Sequence, residues 1–216
     1  MSVVLFGCGS KMIVDYEETC ARLGVEIAAI VKNYDGPDYA LSAGRIVPAD
    51  RVEPALLACP YMVPFFTPAH RLRANADAAK RGFSMPAMLV DPSATVARSA
   101  VIGAGSYVNA GAVIGGAAAI GGFVVVNRSA SVGHHVEIAD FASVGPGAIL
   151  CGNVRLERGA VVAAGATVIE KVRIGRNSVV AAGAVVKESV ADHCLVAGNP
   201  AEVVNADYAG YRNLSV

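Results

Sequence analysis

From Val90 to Val186 the chain keeps an aliphatic residue at every sixth position. The series runs Val90, Val96, Ile102, Val108, Ile114, Ile120, Val126, Val132, Ile138, Val144, Leu150, Leu156, Val162, Val168, Ile174, Val180 and Val186, seventeen positions without a slip. Four residues after each of the first sixteen stands a small or β-branched side chain, from Ala94 and Ala100 through Ser106 and Ala112 to Ser178 and Ala184. A helix repeats every 3.6 residues and a half-buried strand every 2, so neither produces this pattern. A six-residue period predicts a prism with flat faces. Each hexad supplies one short strand and one corner; the aliphatic residue points inward and the small one lets the chain turn. Three hexads close a coil of 18 residues, giving between five and six coils whose strands stack in parallel ladders over a continuous apolar core.

The region before this repeat follows another pattern. Val3–Ser10 (VVLFGCGS) is an apolar run ending in a glycine turn, which predicts a buried strand. An amphipathic helix is expected over Ile13–Leu23 with Gly24 as its stop, then a second strand over Val25–Val31. A third strand around Met62–Phe66 leads to Thr67-Pro68, a helix start, and a helix to about Arg81. Strand, glycine turn, helix and strand open a βαβ unit, so a small Rossmann-like α/β domain is predicted. Pro86 and Pro92 flank the first hexad. The expected division is an α/β domain over 1–85, the prism over 86–190, and a cap or arm over 191–216. The arm is expected to pack on a neighbour and the α/β domain to cover the other end, because open prism ends expose unpaired strand edges. GCGS is a fragment of a dinucleotide fingerprint; it reads equally as a phosphate-binding turn or as a tight strand–helix turn.

Charge and composition narrow the function. Lys and Arg number 18 against 18 Asp and Glu, so there is no basic excess with which to bind a nucleic acid. A hydrophobic fraction of 54% argues against disorder, yet no uninterrupted apolar run is long enough for a membrane span. MSVVLFGCGSKM has no basic n-region, so no signal peptide is expected. The cysteines are five in number and lack CxxC spacing, which fits a reducing cytoplasm better than a disulfide framework.

The chemistry concentrates where SVGHHVEIADF interrupts the repeat. His134 and His135 follow Val132 at a corner, so their side chains are expected to face outward. An imidazole is the side chain suited to general-base work near pH 7, although a surface pair without a role would look the same. One coil separates His134 from Gly152, whose bare backbone N–H could stabilise an oxyanion. The same stacking sets Asn109 over Asn127, His135 over Asn153, and Glu137 over Arg155 as an ion pair. A zinc hydratase of similar shape needs three separated His ligands. His134 and His135 are adjacent and His70 and His193 lie outside the repeat, so no metal site is predicted.

The repeat resembles the hexapeptide-repeat acyltransferases, whose fold is a left-handed parallel β-helix; the handedness comes from the resemblance. An α/β domain followed by such a prism is similar to one subfamily in particular, the bacterial nucleotide-sugar N-acetyltransferases of bacillosamine and perosamine biosynthesis with the related sialic acid O-acetyltransferases. The similarity spans nearly the whole chain and is strongest over Leu89–Val204, including PGA at Pro146–Ala148, GNV at Gly152–Val154 and VAGNPA at Val196–Ala201. It implies a homotrimer that uses acetyl-CoA, without a metal, to N-acetylate a nucleotide-linked amino sugar. O-acetylation of a sugar and a non-catalytic β-helix binding protein are the alternatives. His134 matches the subfamily's catalytic His and Gly152 its oxyanion donor. Relatives follow that His with Asp or Glu, where this chain has His135; Glu137 or Asp140 is then expected to reach in, or His134 to be less basic. The family's coenzyme contacts map onto Ser143, Ala164 and Ala182, and Asn127 matches an Asn of the catalytic groove that Gly152 shares, with an inward Asn ladder the alternative; Lys187, where the prism ends, reads either as a contact to the coenzyme phosphates or as a solvated lysine. The amino-terminal domain would bind the nucleotide-sugar, with Gly9, Ser10, Asn33 and Asp35 as candidates. There the chain departs from its relatives, whose longer glycine-rich turn contains a His.

Overall fold

The computed structural model describes residues 2–216. Four short parallel strands form the amino-terminal sheet: β1 (Ser2–Phe6), β2 (Glu26–Lys32), β3 (Ile46–Pro48) and β4 (Tyr61–Met62), in the order β3-β2-β1-β4. Helix α1 spans Ile13–Leu23 and stops at Gly24, which takes φ 65° and donates to the carbonyls of Ala21 and Cys20. A short helix, α2 (Pro54–Leu57), precedes β4, and α3 (Pro68–Lys80) begins after Thr67 with proline in its first turn. Two details differ from expectation. Strand β3 has three residues and no full apolar alternation to announce it. Strand β4 is shorter than Met62–Phe66 because the chain turns at Val63–Phe65, where Phe65 N–H donates to the Val63 carbonyl at 2.9 Å.

The repeat folds into a left-handed parallel β-helix. Seventeen two-residue strands, from Leu89–Val90 to Val185–Val186, carry the seventeen aliphatic positions as their second residues. They form three ladders. The first starts at Leu89–Val90, the second at Thr95–Val96, the third at Val101–Ile102, and each pairs residues 18 apart, as in Val126 with Val144 and Val132 with Leu150. The small residues do more than permit the turn. Ala112, Ala130, Ala148 and Ala166 are buried in the same core as the aliphatic ones, so they are small because the corner leaves no room for more.

The amino-terminal end of the prism is not covered as expected. The α/β domain packs on the outer face of the first ladder and leaves Val90, Val96 and Ile102, at the first coil, only partly buried. Leu89, Tyr107 and Val125, outward residues of that ladder, share a core with Leu5, Ile13 and Tyr16. Polar contacts secure the joint. Asp91, at the first corner, accepts from Thr19 Oγ1 at 2.8 Å, from Arg22 Nε at 2.8 Å, and from Ser93. Burial opposes its ionisation, but those hydrogen bonds outweigh it and hold the carboxyl below its ordinary range. Arg71 of α3 is fully buried without a carboxylate partner. It donates to the carbonyls of Phe66, Phe123, Phe141 and Ala142 and to Ser143 Oγ, and burial pulls its guanidinium down to about 10.

The carboxy-terminal segment packs on its own chain. Leu195–Gly198 extends the first ladder in parallel after Val179–Val180, and Ala201–Asn205 returns antiparallel to it. The chain then runs back along the prism: Tyr208 N–H donates to the His193 carbonyl at 2.7 Å and Val216 N–H to Asn177 Oδ1 at 3.0 Å.

Candidate active site

The three ladders meet at three edges. Residues 133–136 and 151–154 lie on the edge between the second and third ladders, opposite the face that the α/β domain covers. His135 takes the left-handed turn conformation, φ 54°, as Asn153 does one coil on at φ 60°. That turn throws His134 outward, and both imidazoles are exposed.

His134 lies directly over Gly152. A Cβ built on Gly152 would meet His134 Cε1 at 2.5 Å and Nε2 at 2.6 Å, so only glycine admits the ring there. The Gly152 carbonyl accepts from Lys171 N–H at 3.0 Å, while its own N–H donates to no protein group among the described residues. An imidazole and an unused backbone donor thus share one corner of the prism, the pairing that acyl transfer requires. His134 Nδ1 and His135 Nδ1 are 3.2 Å apart. No carboxylate joins them. Glu137 pairs with Arg155 at 3.2 Å, and Asp140 accepts from Gly122 N–H at 2.8 Å and faces Arg158 at 3.7 Å. The expected cross-coil ion pair is present, and it is one reason Glu137 does not reach the histidines.

The coenzyme candidates divide. Ala164 and Ala182 are exposed and stacked on the edge between the first and second ladders, linked by Gly183 N–H to the Ala164 carbonyl at 2.9 Å. Lys187 is exposed on the His134 edge. Ser143 is a correction. Its side chain lies under the α/β domain with no exposed surface, Oγ donating to the Phe66 carbonyl at 2.7 Å and accepting from Arg71, so no coenzyme can touch it. Asn127 stacks on Asn109 beneath the α/β domain: its Oδ1 accepts from Asn109 Nδ2 at 2.9 Å and from Arg128 N–H at 2.7 Å, and Asn109 Nδ2 also meets Asp15 Oδ2 of α1 at 3.3 Å, so the pair lies on the outside of the prism and not in its core. Asp15 also ties this pair to the α/β domain through Arg128, at 2.8 and 2.9 Å.

The candidates in the α/β domain also divide. Gly9 and Ser10 line a crevice of about 450 Å³ with Lys11, Thr67, His70 and the returning arm. Gly9 is required by the close approach of Tyr34, whose ring would be 2.6 Å from an added Cβ. Asn33, which donates to Asp77 at 3.0 Å, lines an adjoining hollow that Gly9 and His70 share. Asp35 lines a further hollow with Lys32, Asn33 and Arg81, so it shares a surface with Asn33 but not with Gly9 and Ser10. His70, Lys11 and the arm residues Tyr211 and Arg212 were missed. Thr67-Pro68 marked a helix start, and a His in the first turn after a strand was the available signal; the arm gave none.

Scans against protein-family models and against curated proteins find no match. Solved structures do match. The perosamine N-acetyltransferase of Caulobacter crescentus, crystallised with CoA and GDP-perosamine as a variant with one histidine changed to asparagine, is 28% identical, with a TM-score of 0.83 over 95% of this chain and 97% of its own. The acetyltransferase domain of PglB from Neisseria gonorrhoeae FA1090, in complex with acetyl coenzyme A, is 29% identical, with a TM-score of 0.82 over 94% of this chain and 98% of its own. Over nearly its whole length the chain thus shares its fold with nucleotide-sugar N-acetyltransferases. WeeI from Acinetobacter baumannii AYE shares the fold at 19% identity, with a TM-score of 0.77 over 94% of this chain and all of its own. Among the described residues no helix is long and apolar enough to cross a membrane.

Proposed function

We propose that this protein moves the acetyl group of acetyl-CoA to an amino group of a nucleotide-linked sugar, with His134 as general base. The observation that carries the reading is the His134 imidazole seated over Gly152 beside a free backbone N–H. The substrate nitrogen attacks the thioester carbonyl, and a C–N bond forms as the oxygen takes the negative charge. Gly152 N–H donates to that oxygen, and His134 accepts the proton the amine must lose. Collapse breaks the C–S bond and CoA leaves as its thiol once it regains a proton. His135 orients the base in place of a carboxylate. Ala164, Ala182 and Lys187 are the coenzyme contacts of this reading, and Gly9, Ser10 and Asn33 the nucleotide-sugar contacts.

The reading calls for a homotrimer. Within one chain, His134 sits on the edge opposite the ladder face that carries the crevice, and Ala164 and Ala182 sit on a third line, one face away. Only a neighbouring copy can bring base, coenzyme and sugar together. Exposed Val113 and Ile149 on the second ladder supply apolar surface for that contact. The compartment assigned is the cytoplasm, on the strength of five free cysteines.

The test follows CoA thiol release with acetyl-CoA and UDP-, dTDP- and GDP-linked amino sugars, for wild type and His134→Ala. Turnover of one amino sugar that falls by about 10²- to 10⁴-fold in the variant is expected, the range for a positioned general base. Turnover unaffected by the substitution would exclude His134 as the base, and release only with hydroxyl acceptors would make the enzyme an O-acetyltransferase.

A further inference from the structure

The sheet order β3-β2-β1-β4 reverses direction at β1, and the crevice opens beyond the carboxyl ends of β1 and β4. Open α/β sheets bind their ligands at such switch points. Here the crevice has an unusual wall. Chain that is last in sequence closes it, with Tyr211 set edge-on to Phe66 at 5.6 Å and 80°.

The lining has a definite chemistry. It contains Lys11, Arg212 and His70, the rings of Tyr39, Phe65 and Tyr211, and no carboxylate. Neither Lys11 nor Arg212 has a salt-bridge partner among the described residues, although ten ion pairs form elsewhere. The nearest ring to Lys11 is Tyr39, at 5.7 Å, and Arg212 lies 6.0 Å from Tyr211. Two unneutralised cations among aromatic rings suit a ligand with an aromatic base and two linked phosphates.

The arm is held for this. Its two anchors, at Tyr208 and Val216, bracket Arg212 and Asn213, which take left-handed conformations at φ 60° and 58°. Arg212 also reaches the pocket electrostatically: burial first, then Arg212 and Arg73, hold the His70 imidazole below its ordinary range.

We infer that the carboxy-terminal arm is part of the nucleotide-sugar site and that Arg212, with Lys11 opposite, grips the diphosphate. This inference rests on the nucleotide-sugar reading above and adds to it a binding residue and the group it binds. It also accounts for a tail that returns to the α/β domain when capping the prism would have needed only Leu195–Asn205.

The test is calorimetric binding of UDP, GDP and dTDP, and of the matching monophosphates, to wild type, Arg212→Gln and Arg212→Lys, alongside steady-state kinetics and thermal melting. Loss of a charge-assisted contact predicts diphosphate binding about 10- to 100-fold weaker in Arg212→Gln. The preference for diphosphate over monophosphate should shrink with it, and lysine should restore part of both. The KM for acetyl-CoA and the melting temperature should stay at wild-type values. Equal diphosphate affinity in Arg212→Gln and wild type would overturn the role of the arm while leaving the acetyltransferase reading intact. A wild-type protein that binds no nucleoside diphosphate and releases no CoA with any amino sugar would overturn both.

Discussion

Replacing Gly152 by alanine adds one carbon directly beneath the His134 ring. The new Cβ would lie 2.5 Å from Cε1 and 2.6 Å from Nε2, where carbon contacts normally settle near 3.5 Å, so the imidazole must retreat by about 1 Å. A displacement of that size at a reacting group lowers rates by about 100-fold. The substitution is otherwise mild. Gly152 does not occupy the left-handed region, alanine keeps the N–H proposed to meet the oxyanion, and a Gly-to-Ala change at a compatible position stabilises by about 0.4–1 kcal/mol through the unfolded chain. Activity and stability should therefore part: kcat/KM down about 100-fold, melting temperature unchanged or slightly raised. Gly116→Ala is the control. It sits two coils from Gly152 on the same edge, and its added Cβ would meet only Ser99 Oγ, at 3.4 Å, so wild-type activity is expected. The assay is CoA release with the amino sugar that wild type accepts. Activity of Gly152→Ala within threefold of wild type would refute the claim that the ring must rest on this glycine. A raised KM for acetyl-CoA with unchanged kcat would make Gly152 a coenzyme contact only.

Two further outcomes follow from contacts already described. His135→Ala removes the only side-chain partner of His134 among the described residues, and a lost hydrogen bond of about 1 kcal/mol lowers kcat by about fivefold; His135→Asn, which tolerates φ 54° and keeps a polar group there, should recover part of it. Asp91→Ala breaks the buried junction with Thr19, Arg22 and Ser93, and chemical denaturation at pH 7 should find it about 2–3 kcal/mol less stable than wild type. Because the folded state holds the Asp91 carboxyl below its unfolded value of about 3.9, its contribution is complete above that pH and fades as pH falls; the gap between variant and wild type should narrow below about pH 4, and a gap independent of pH would refute the ionic account.

What could be read from the sequence and what could not follow from how each contact is made. In the β-helix a residue's neighbours are fixed by counting: His134 meets Gly152, Asn109 meets Asn127 and Glu137 meets Arg155 because 18 residues close one coil. The same arithmetic is silent on what covers the outside. Ser143 occupies an outward ladder position like Ser131, yet one is sealed under Phe66 and Arg71 and the other is partly exposed. A signal for the covered face did exist. Tyr107 is the one aromatic residue among the outward ladder positions, and Phe123 and Phe141 stand one coil apart with rings stacked at 5.2 Å. Large rings on the outside of a prism built from Val and Ala mark a surface meant for burial, and Arg71 donates to the carbonyls of both phenylalanines. The crevice stayed hidden for the complementary reason. Its cations come from Lys11 and Arg212, some 200 residues apart, and nothing periodic joins them. A site assembled by stacking leaves its spacing in the sequence. One assembled by a returning arm leaves only a cation without a partner, and that becomes visible once every neighbour is known.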